Sequence, residues 1–223
     1  MHALDRPVWA SLNFAPQLAE GTPRALRYRR DINLFASACD DSPPALDALA
    51  ALVGDGENLY LLQVPSIRVP PALRALREAQ GVQMLAGRPI ATEIPGEAWL
   101  ELGDADAAEM LALARLTEPG PFLARTQRMG RFVGVREGGA LIAMAGERMR
   151  MPGYTELSGV CVHPDHRGRG LARQLSAVIA QGIQQRGDQA FLHAWASNRP
   201  AIALYESLGF VQRAEVQVAV LAR

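Results

Sequence analysis

Residues 156–172 are Glu156-Leu157-Ser158-Gly159-Val160-Cys161-Val162-His163-Pro164-Asp165-His166-Arg167-Gly168-Arg169-Gly170-Leu171-Ala172, an apolar strand joined to an amphipathic helix by a basic, glycine-rich turn. A helix that begins directly after such a turn points its free backbone N–H groups, and the positive end of its dipole, at the turn. Gly168 and Gly170 lack a Cβ, so an anionic ligand can approach the backbone closely. Arg167 and Arg169 add cationic donors suited to phosphate. The pattern predicts a site for a ligand that carries a pyrophosphate.

The composition limits the classes of function that are open to the chain. Its 223 residues fit one large domain or two small ones, and 49% of them are hydrophobic, which is enough for a substantial core. The formal net charge of zero argues against broad binding to nucleic acid or to anionic membranes. Residues 1–10 contain no apolar signal segment, and no run approaches the ~20 apolar residues of a membrane span. We expect a cytoplasmic protein with neither nucleic acid nor membrane as a partner.

The cysteines and histidines give no metal-binding pattern. Cys39 and Cys161 are far apart, lack the spacing of metal ligands, and lie in apolar surroundings, so both are interpreted as buried free thiols. His163 and His166 flank Pro164-Asp165, but no partner ligands lie near them in the sequence. The sequence therefore predicts no metal site.

The first half of the chain, residues 1–95, is predicted to alternate between strands and helices. The expected elements are strands at 31–37, 58–64 and 82–86, and helices at 45–53 and at 70–80 after Pro70-Pro71. The apolar residues Trp9, Leu12 and Phe14 could form a short strand or a packed arm. Residues 87–95, which include glycine and two prolines, are interpreted as the connection to the second half. This half shows no catalytic pattern, which leaves a scaffold or one wall of a cleft as its role.

The second half, residues 96–223, has a clearer order of elements. The expected strands are 98–102, 131–136, 140–148, 155–162, 190–196 and one or two within 210–220, and the expected helices are 105–117, 171–186 and 198–208. A hairpin turn at Glu137-Gly138-Gly139 joins the second and third of these strands. Asn198 can cap the short helix before Gly209. The fold class is therefore a mixed α/β fold.

Three motifs in this order resemble the GCN5-related N-acetyltransferase (GNAT) superfamily. The family's cofactor signature, Arg/Gln-x-x-Gly-x-Gly/Ala, is matched by Arg167-Gly168-Arg169-Gly170-Leu171-Ala172. Upstream of it is Val160-x-Val162-x-Pro164, and downstream is Asn198 followed by Ala203-Leu204-Tyr205-Glu206-x-Leu208-Gly209-Phe210. The resemblance covers about residues 98–223, and the chain looks most similar to the FR47-like subgroup, whose members carry an additional N-terminal half. It implies a central mixed, mostly antiparallel sheet, splayed at an acyl-CoA site and flanked by helices, in an acetyltransferase domain at 96–223 that follows a smaller αβ half.

The resemblance also implies how acetyl-CoA would be bound as a co-substrate. In the family, backbone N–H groups of the turn bind the pyrophosphate, here those of Arg167, Gly168, Arg169, Gly170, Leu171 and Ala172. The preceding strand pairs with the pantetheine arm through its backbone, here at Val160, Cys161 and Val162. Asn198 corresponds to a residue that commonly hydrogen-bonds the same arm. A simple helix cap is the alternative for Asn198, and the two roles are compatible.

Two side chains match catalytic positions of the family. Tyr205 occupies the position of a tyrosine near the thioester sulfur, and a phenol with a pKa of ~10 can protonate a leaving thiolate. A packed aromatic residue is the alternative. Glu156 lies eleven residues before Arg167, where some members place a general-base glutamate, and we expect desolvation to raise its pKa. A surface carboxylate or an acceptor-binding carboxylate is the alternative for Glu156.

The activity implied by the resemblance is acetyl-CoA-dependent N-acetylation, in which an acceptor amine attacks the thioester directly and Cys161 is not a nucleophile. The rival from another class is a non-catalytic acyl-CoA-binding or regulatory module. Transfer of a longer acyl group, or transfer to a hydroxyl, also stays open. The acceptor, a small molecule or a peptide or protein amine, is not identified by the sequence, and a homodimer is left open.

Overall fold

The computed structural model describes residues 2–90 and 97–223. Its helices are α1 (Pro7–Phe14), α2 (Pro43–Ala51), α3 (Ala107–Thr117), α4 (Leu171–Gln185) and α5 (Arg199–Leu208). Its strands are β1 (Ala19–Thr22), β2 (Ala25–Tyr28), β3 (Ala36–Ala38), β4 (Leu59–Gln63), β5 (Arg74–Ala86), β6 (Leu100–Leu102), β7 (Phe132–Glu137), β8 (Ala140–Met151), β9 (Tyr154–Val162), β10 (Gln189–Trp195) and β11 (Phe210–Ala222). The mixed α/β class and the elements expected after residue 98 are confirmed, within one to three residues at most ends.

Eight strands form the central sheet in the order β4-β11-β5-β10-β9-β8-β7-β6. Every neighbouring pair is antiparallel except β9 and β10, which run parallel. A smaller antiparallel sheet, β1-β2-β3, lies beside it and touches it through a bridge between Phe35 and Tyr60. The mostly antiparallel, mixed sheet is therefore the one that the family resemblance implied.

The sheet divides between β9 and β10. Only three residue pairs join these strands, the first between Tyr154 and Gln189 and the last between Glu156 and Phe191. Beyond that point β9 continues to Val162, while β10 continues alongside β5 until Trp195 meets Gly81. Among the described residues, β9 has no strand neighbour on its β10 side after Glu156. Its backbone N–H and C=O groups there are free to pair with a ligand.

The helices cover both faces of the sheet. The apolar stripe of α4 packs on one face through Leu171, Leu175, Ile179 and Ile183, each at most 2% exposed. Burying such side chains contributes roughly 1.5–3 kcal/mol each, so this helix is firmly fixed on the sheet. Helices α1 and α3 pack on the opposite face, in two apolar clusters that contain Met149 and Met144 respectively. The start of α4 is thus held directly beside the division of the sheet.

The helix predicted at 70–80 is wrong, because its residues from Arg74 onwards belong to the long strand β5. Their composition is typical of a helix, but β5 lies between β10 and β11 and pairs with both. Its first half, from Arg74, pairs with β11 alone, and only the residues from Gly81 onwards also pair with β10. The ladder of backbone hydrogen bonds outweighs the local helix preference, which amounts to tenths of a kcal/mol per residue.

Other parts of the first half differ less from expectation, although the strand predicted at 31–37 is wrong over its first residues, because β3 spans only Ala36–Ala38. Residues 7–14 form the helix α1 rather than a strand or an arm. Helix α2 and strand β4 confirm the predictions at 45–53 and 58–64. The predicted boundary at 95/96 lies outside the described residues. The sheet nevertheless joins both predicted halves, since β4 and β5 belong to the first half and their partners β10 and β11 belong to the second.

Candidate active site

A cavity of about 610 Å³ lies where β9 and β10 separate. The glycine-rich turn before α4 and helix α5 line one end of it, and residues of β4, β10 and β11 line the other. The loop after α3, at Thr117–Pro121, borders it as well. One cavity therefore brings together segments from the whole chain.

The turn before α4 has the geometry of an anion-binding site. Gly168 and Gly170 have φ angles of 80° and 78°, and open space lies where their Cβ atoms would be. Within the described ranges, no side chain caps the start of α4. The first N–H groups of a helix have no partner inside it, so those of Leu171, Ala172 and Arg173 are available to a ligand. All three residues line the cavity.

The two arginines of the turn differ in their surroundings. Arg167 lines the cavity. The guanidinium of Arg169 instead pairs with Glu97 and Glu137, each at 2.6 Å, and lies 2.8 Å from His166 Nδ1. The sequence predicted both side chains as phosphate donors, but the carboxylates that meet Arg169 come from distant segments. The contribution of Arg169 to ligand binding is thus expected from its backbone.

A bulge in β9 shapes the wall of the cavity. Gly159 has a φ of 62°, and the register with β8 shifts between the Met144–Cys161 and Gly146–Ser158 pairs. Val160, Cys161 and Val162 line the cavity after the bulge. Burial raises the pKa of the Cys161 thiol to about 12. Cys161 is therefore a protonated, buried thiol in this site, as the sequence indicated.

Tyr205 and Asn198 reach the cavity from α5 and its cap. The Tyr205 ring packs edge-on against Phe210, with 6.1 Å between ring centroids. Burial, with a smaller effect from Cys161, raises the Tyr205 pKa to about 12, so the phenol keeps its proton at neutral pH. Asn198 Oδ1 accepts a hydrogen bond from the Ala201 N–H at 3.2 Å, which confirms the helix cap. Its amide nitrogen stays available, so a ligand contact is compatible with capping.

Glu156 is fully buried on the face of the sheet opposite α4. Arg148 donates to both of its oxygens, from Nε at 2.8 Å and from Nη2 at 2.6 Å. His193 Nδ1 lies 2.7 Å away, and the Met149 N–H donates at 3.3 Å. Burial alone would raise the Glu156 pKa, but the charge of Arg148 and these hydrogen bonds together lower it to about 2. The expected rise in this pKa is therefore wrong, because the sequence did not show that Arg148 and His193 surround the carboxylate.

A chain of hydrogen bonds extends from Glu156 to the N-terminal segment. Gln83 Nε2 lies 3.0 Å from His193 Nε2 and also donates to the Leu4 carbonyl at 2.9 Å. Because an amide nitrogen only donates, His193 Nε2 accepts, and the ring proton sits on Nδ1 facing Glu156. Arg213 donates to Gln83 Oε1 at 2.8 Å. Sequence reasoning missed this network; the alternation of Phe191, His193 and Trp195 on one face of β10 was the available signal.

The end of the cavity away from the turn is mostly apolar. It is lined by Phe35, Tyr60, Leu62, Trp195 and Val218, with Arg148 among them. Three of these residues, Phe35, Tyr60 and Leu62, belong to the first half of the chain. The first half of the chain therefore contributes to the lining of the cavity, and its role as a scaffold or as one wall of the acceptor cleft stays a prediction.

The described residues, 2–90 and 97–223, also bear on membrane and metal binding. Among these residues, no helix combines the length and the apolar character needed to cross a membrane. No group of three or more His, Cys, Asp or Glu side chains in residues 2–90 and 97–223 is arranged to hold a metal ion.

Known proteins resemble this chain in sequence and in structure. The sequence profile of the family described as FR47-like protein matches residues 132–219. A structure from Novosphingobium aromaticivorans, assigned to the GNAT family as an acetyltransferase, is 42% identical with a TM-score of 0.93, over 100% of this chain and 99% of that one. A GCN5-related N-acetyltransferase from Kribbella flavida has the same fold, with a TM-score of 0.67 at 18% identity over 99% of this chain and 95% of that one.

Curated relatives are similar over shorter shares of their length. A mycothiol acetyltransferase of Thermomonospora curvata is 33% identical over 201 residues, which are 86% of this chain and 64% of the relative. The N-alpha-acetyltransferase RimI of Mycobacterium tuberculosis is 37% identical over 82 residues, which are 35% of this chain and 51% of RimI. The chain thus spans less than two thirds of these curated relatives. With the match along the whole Novosphingobium chain, the fold and the motifs show that this protein belongs to the GCN5-related N-acetyltransferase family.

Proposed function

We propose that the protein is an acetyl-CoA-dependent N-acetyltransferase. The observation that carries the proposal is the convergence, in one cavity, of three features: the start of α4 and the edge of β9, which lack a cap and a strand partner among the described residues, and the protonated phenol of Tyr205. Membership of the GNAT family supports acetyl transfer in general. The acceptor amine and the dependence on acetyl-CoA are parts of the proposal.

The described residues fit the pyrophosphate and the pantetheine arm of acetyl-CoA. The N–H groups of Gly168–Arg173 and the Arg167 side chain would bind the pyrophosphate. The free backbone groups of Val160, Cys161 and Val162 would pair with the pantetheine arm, as an added strand does. Asn198 would donate from Nδ2 to the same arm. When bound, acetyl-CoA supplies the activated thioester carbonyl that is the acetyl donor.

The protein's residues would promote direct attack of the acceptor amine. The amine nitrogen forms a bond to the carbonyl carbon while a backbone N–H of β9 near Val160 stabilises the oxygen that becomes negative. The C–S bond then breaks, the sulfur keeps the electron pair, and Tyr205 gives it a proton. The phenolate recovers that proton from the nitrogen of the new amide, so the products are the N-acetyl compound and CoA thiol.

The Tyr205 pKa bears directly on this role. A phenol with a pKa of about 12 donates less readily than one at ~10. A thiolate that leaves in the same cavity would be disfavoured by the same burial, which increases its tendency to take a proton from the phenol.

Glu156 as the general base stays a prediction, and its geometry argues against it. Both of its oxygens accept hydrogen bonds, and a pKa of about 2 leaves little tendency to take a proton from an ammonium. A deprotonated acceptor amine that reaches the cavity from solvent needs no dedicated base.

Thiol release from acetyl-CoA, measured with pooled amines and followed by mass spectrometry of the products, tests the proposal. The expected result is amine-dependent thiol release with an equal amount of N-acetyl product. A protein whose melting temperature acetyl-CoA raises, but which transfers nothing to a broad amine panel, would instead be the non-catalytic acyl-CoA-binding module. Parallel assays with longer acyl-CoA donors and with alcohols decide the remaining alternatives.

A further inference from the structure

The turn before α4 has little backbone support of its own. The Arg167 N–H donates to a carbonyl of the preceding helical turn at 3.4 Å, and the Gly170 carbonyl accepts from the first turn of α4 at 3.0 Å. Between these two bonds, Gly168 and Arg169 make no backbone hydrogen bond within the described residues. Because glycine has more conformational freedom to lose than any other residue, a turn with two glycines is costly to hold in one conformation. Contacts from outside the turn are therefore needed to fix the directions of its N–H groups.

The Arg169 side chain makes such contacts. It stands between Gly168 and Gly170, which have no side chain to anchor. Its Nε and Nη2 donate to one oxygen of Glu97, at 3.0 Å and 2.6 Å. Its Nη1 lies 2.6 Å from Glu137 Oε2 and 2.8 Å from His166 Nδ1. All three nitrogens of the guanidinium are thus occupied by the protein itself.

The two carboxylates belong to segments that are themselves fixed. The backbone N–H and C=O of Glu97 are both hydrogen-bonded by the side chain of Gln174, a residue of α4 that is 5% exposed. Glu137 is the last residue of β7 and pairs with Ala140 of β8. Arg169 therefore ties the middle of the turn to α4 through one carboxylate and to the sheet through the other.

The strength of this arrangement comes from the number of charges that share it. The three side chains are 36–49% exposed, and a single ion pair at such exposure contributes little to stability. Here one guanidinium joins two carboxylates, and its planar fork fixes the directions of several hydrogen bonds at once. A lysine would carry the same charge but would act only as a point charge on a flexible stem.

We propose that Arg169 is a positioning residue of the cofactor site, and that it holds the turn in its anion-binding conformation through Glu97 and Glu137. The guanidinium is used within the protein, while the backbone N–H groups and Arg167 bind the ligand. A turn that is ordered before binding spares the complex the entropic cost of ordering it, so the affinity rises. The inference deepens the proposed function and rests on it, since the ligand is the pyrophosphate of CoA.

Variants that keep every charge separate positioning from simple attraction between charges. Arg169→Lys replaces the fork by one ammonium group, and Glu137→Asp shortens the carboxylate arm by one methylene. We expect each change to raise the Kd of CoA, measured by calorimetry, by about fivefold, the upper range for an exposed ion pair. The KM for acetyl-CoA should rise by about the same factor. The kcat should stay unchanged, because neither residue is near the reacting groups in the proposed mechanism.

A double variant and hydrogen exchange test the proposed cause. If the two side chains act through one contact, Arg169→Lys combined with Glu137→Asp should bind CoA no more weakly than Arg169→Lys alone. Hydrogen exchange over residues 166–172 of the unliganded protein should be faster in both single variants. Arg30→Lys is the matched control, because Arg30 also joins two carboxylates, Glu20 and Glu57, each at 2.6 Å, but in the first half of the chain.

Failure of this inference is distinguishable from failure of the proposed function. An unchanged Kd in both single variants, or a Kd that rises as much in Arg30→Lys, would overturn the role of Arg169. Tighter binding in Glu137→Asp would also overturn it, since Glu137 would then be withholding Arg169 from the phosphates. If the unaltered protein binds CoA but transfers no acetyl group, only the proposed function fails, and the same Kd values decide the inference. If it binds no CoA, both fail.

Discussion

At the scale of single residues, Glu156 illustrates how neighbours determine chemistry. On the sequence it is a carboxylate near a cofactor motif. In the fold, Arg148 and His193 occupy both of its oxygens and lower its pKa to about 2. Burial alone would raise the pKa of this carboxyl group and make it a better proton acceptor. With Arg148 beside it, the buried carboxylate stays charged and holds the guanidinium in place.

The Glu156 ion pair predicts a dependence of stability on pH. Because the folded pKa lies below the ordinary value of 4.5, the stabilisation is complete above pH 4.5 and is lost as the pH falls towards about 2. Glu156→Gln, which leaves Arg148 buried and unpaired, should lower the free energy of unfolding by about 3–5 kcal/mol at pH 7. Urea unfolding from pH 7 to pH 3 should show this difference shrinking. A constant difference across that range would contradict the assignment, and the exposed Glu215→Gln is the control.

The phenol of Tyr205 is expected to act in turnover rather than in binding. Tyr205→Phe should lower kcat by about 10²–10⁴, the usual range for a lost general acid, with little change in the KM for acetyl-CoA. Steady-state thiol release measures both constants. Tyr154→Phe removes a phenol from β9 on the opposite face and should leave kcat unchanged. Unchanged turnover in Tyr205→Phe would show that the residue only packs against Phe210.

At the scale of elements, the two glycines that flank helix α4 provide a test variant and its matched control. Gly170 at its start and Gly187 after its end have φ angles of 78° and 87°, with open space at both Cβ positions. Alanine at either position costs about 1–2 kcal/mol of backbone strain. Only Gly170→Ala should also raise the KM for acetyl-CoA, by about tenfold or more, since its methyl group obstructs the approach of the pyrophosphate. Equal effects of the two variants on KM would show that the turn is not part of the binding site.

Strand β5 shows that the setting of an element can outweigh its composition. Residues 70–80 combine prolines with good helix formers, and the sequence favours a helix. The chain instead extends Arg74–Ala86 between two strands whose backbones would otherwise lack partners. The division between β9 and β10 depends on the same strand, since β5 holds β10 away from β9 beyond Phe191.

At the scale of the whole molecule, the shared sheet predicts that the two halves fold together. A fragment of residues 96–223 would leave β10 and β11 without the strand between them. We expect it to lack a cooperative unfolding transition and to aggregate. Residues 1–95 and 96–223 coexpressed as two chains should instead copurify. Circular dichroism and size-exclusion chromatography are the measurements. Cooperative unfolding and CoA binding by the second fragment alone would contradict this expectation and show that residues 96–223 form an autonomous domain.

Local signals explain which predictions succeeded. The elements from residue 98 onwards were predictable because apolar periodicity, glycine turns and helix caps lie within each segment. The turn at Arg167–Ala172 and the cap at Asn198 were predictable for the same reason. The partners of Glu156 were not, because Arg148, Gln83 and His193 become neighbours only through strand pairing.

The sequence by itself determined the family, the glycine-rich turn before α4 and the position of Tyr205, since these depend on residues close together in the chain. The tertiary structure alone decided that β5 completes the sheet, that Arg169 pairs with Glu97 and Glu137, and that Glu156 is the partner of Arg148. The physical reason is common to all three. Hydrogen bonding and electrostatics act over a few ångströms in space, and only the fold determines which distant residues come that close.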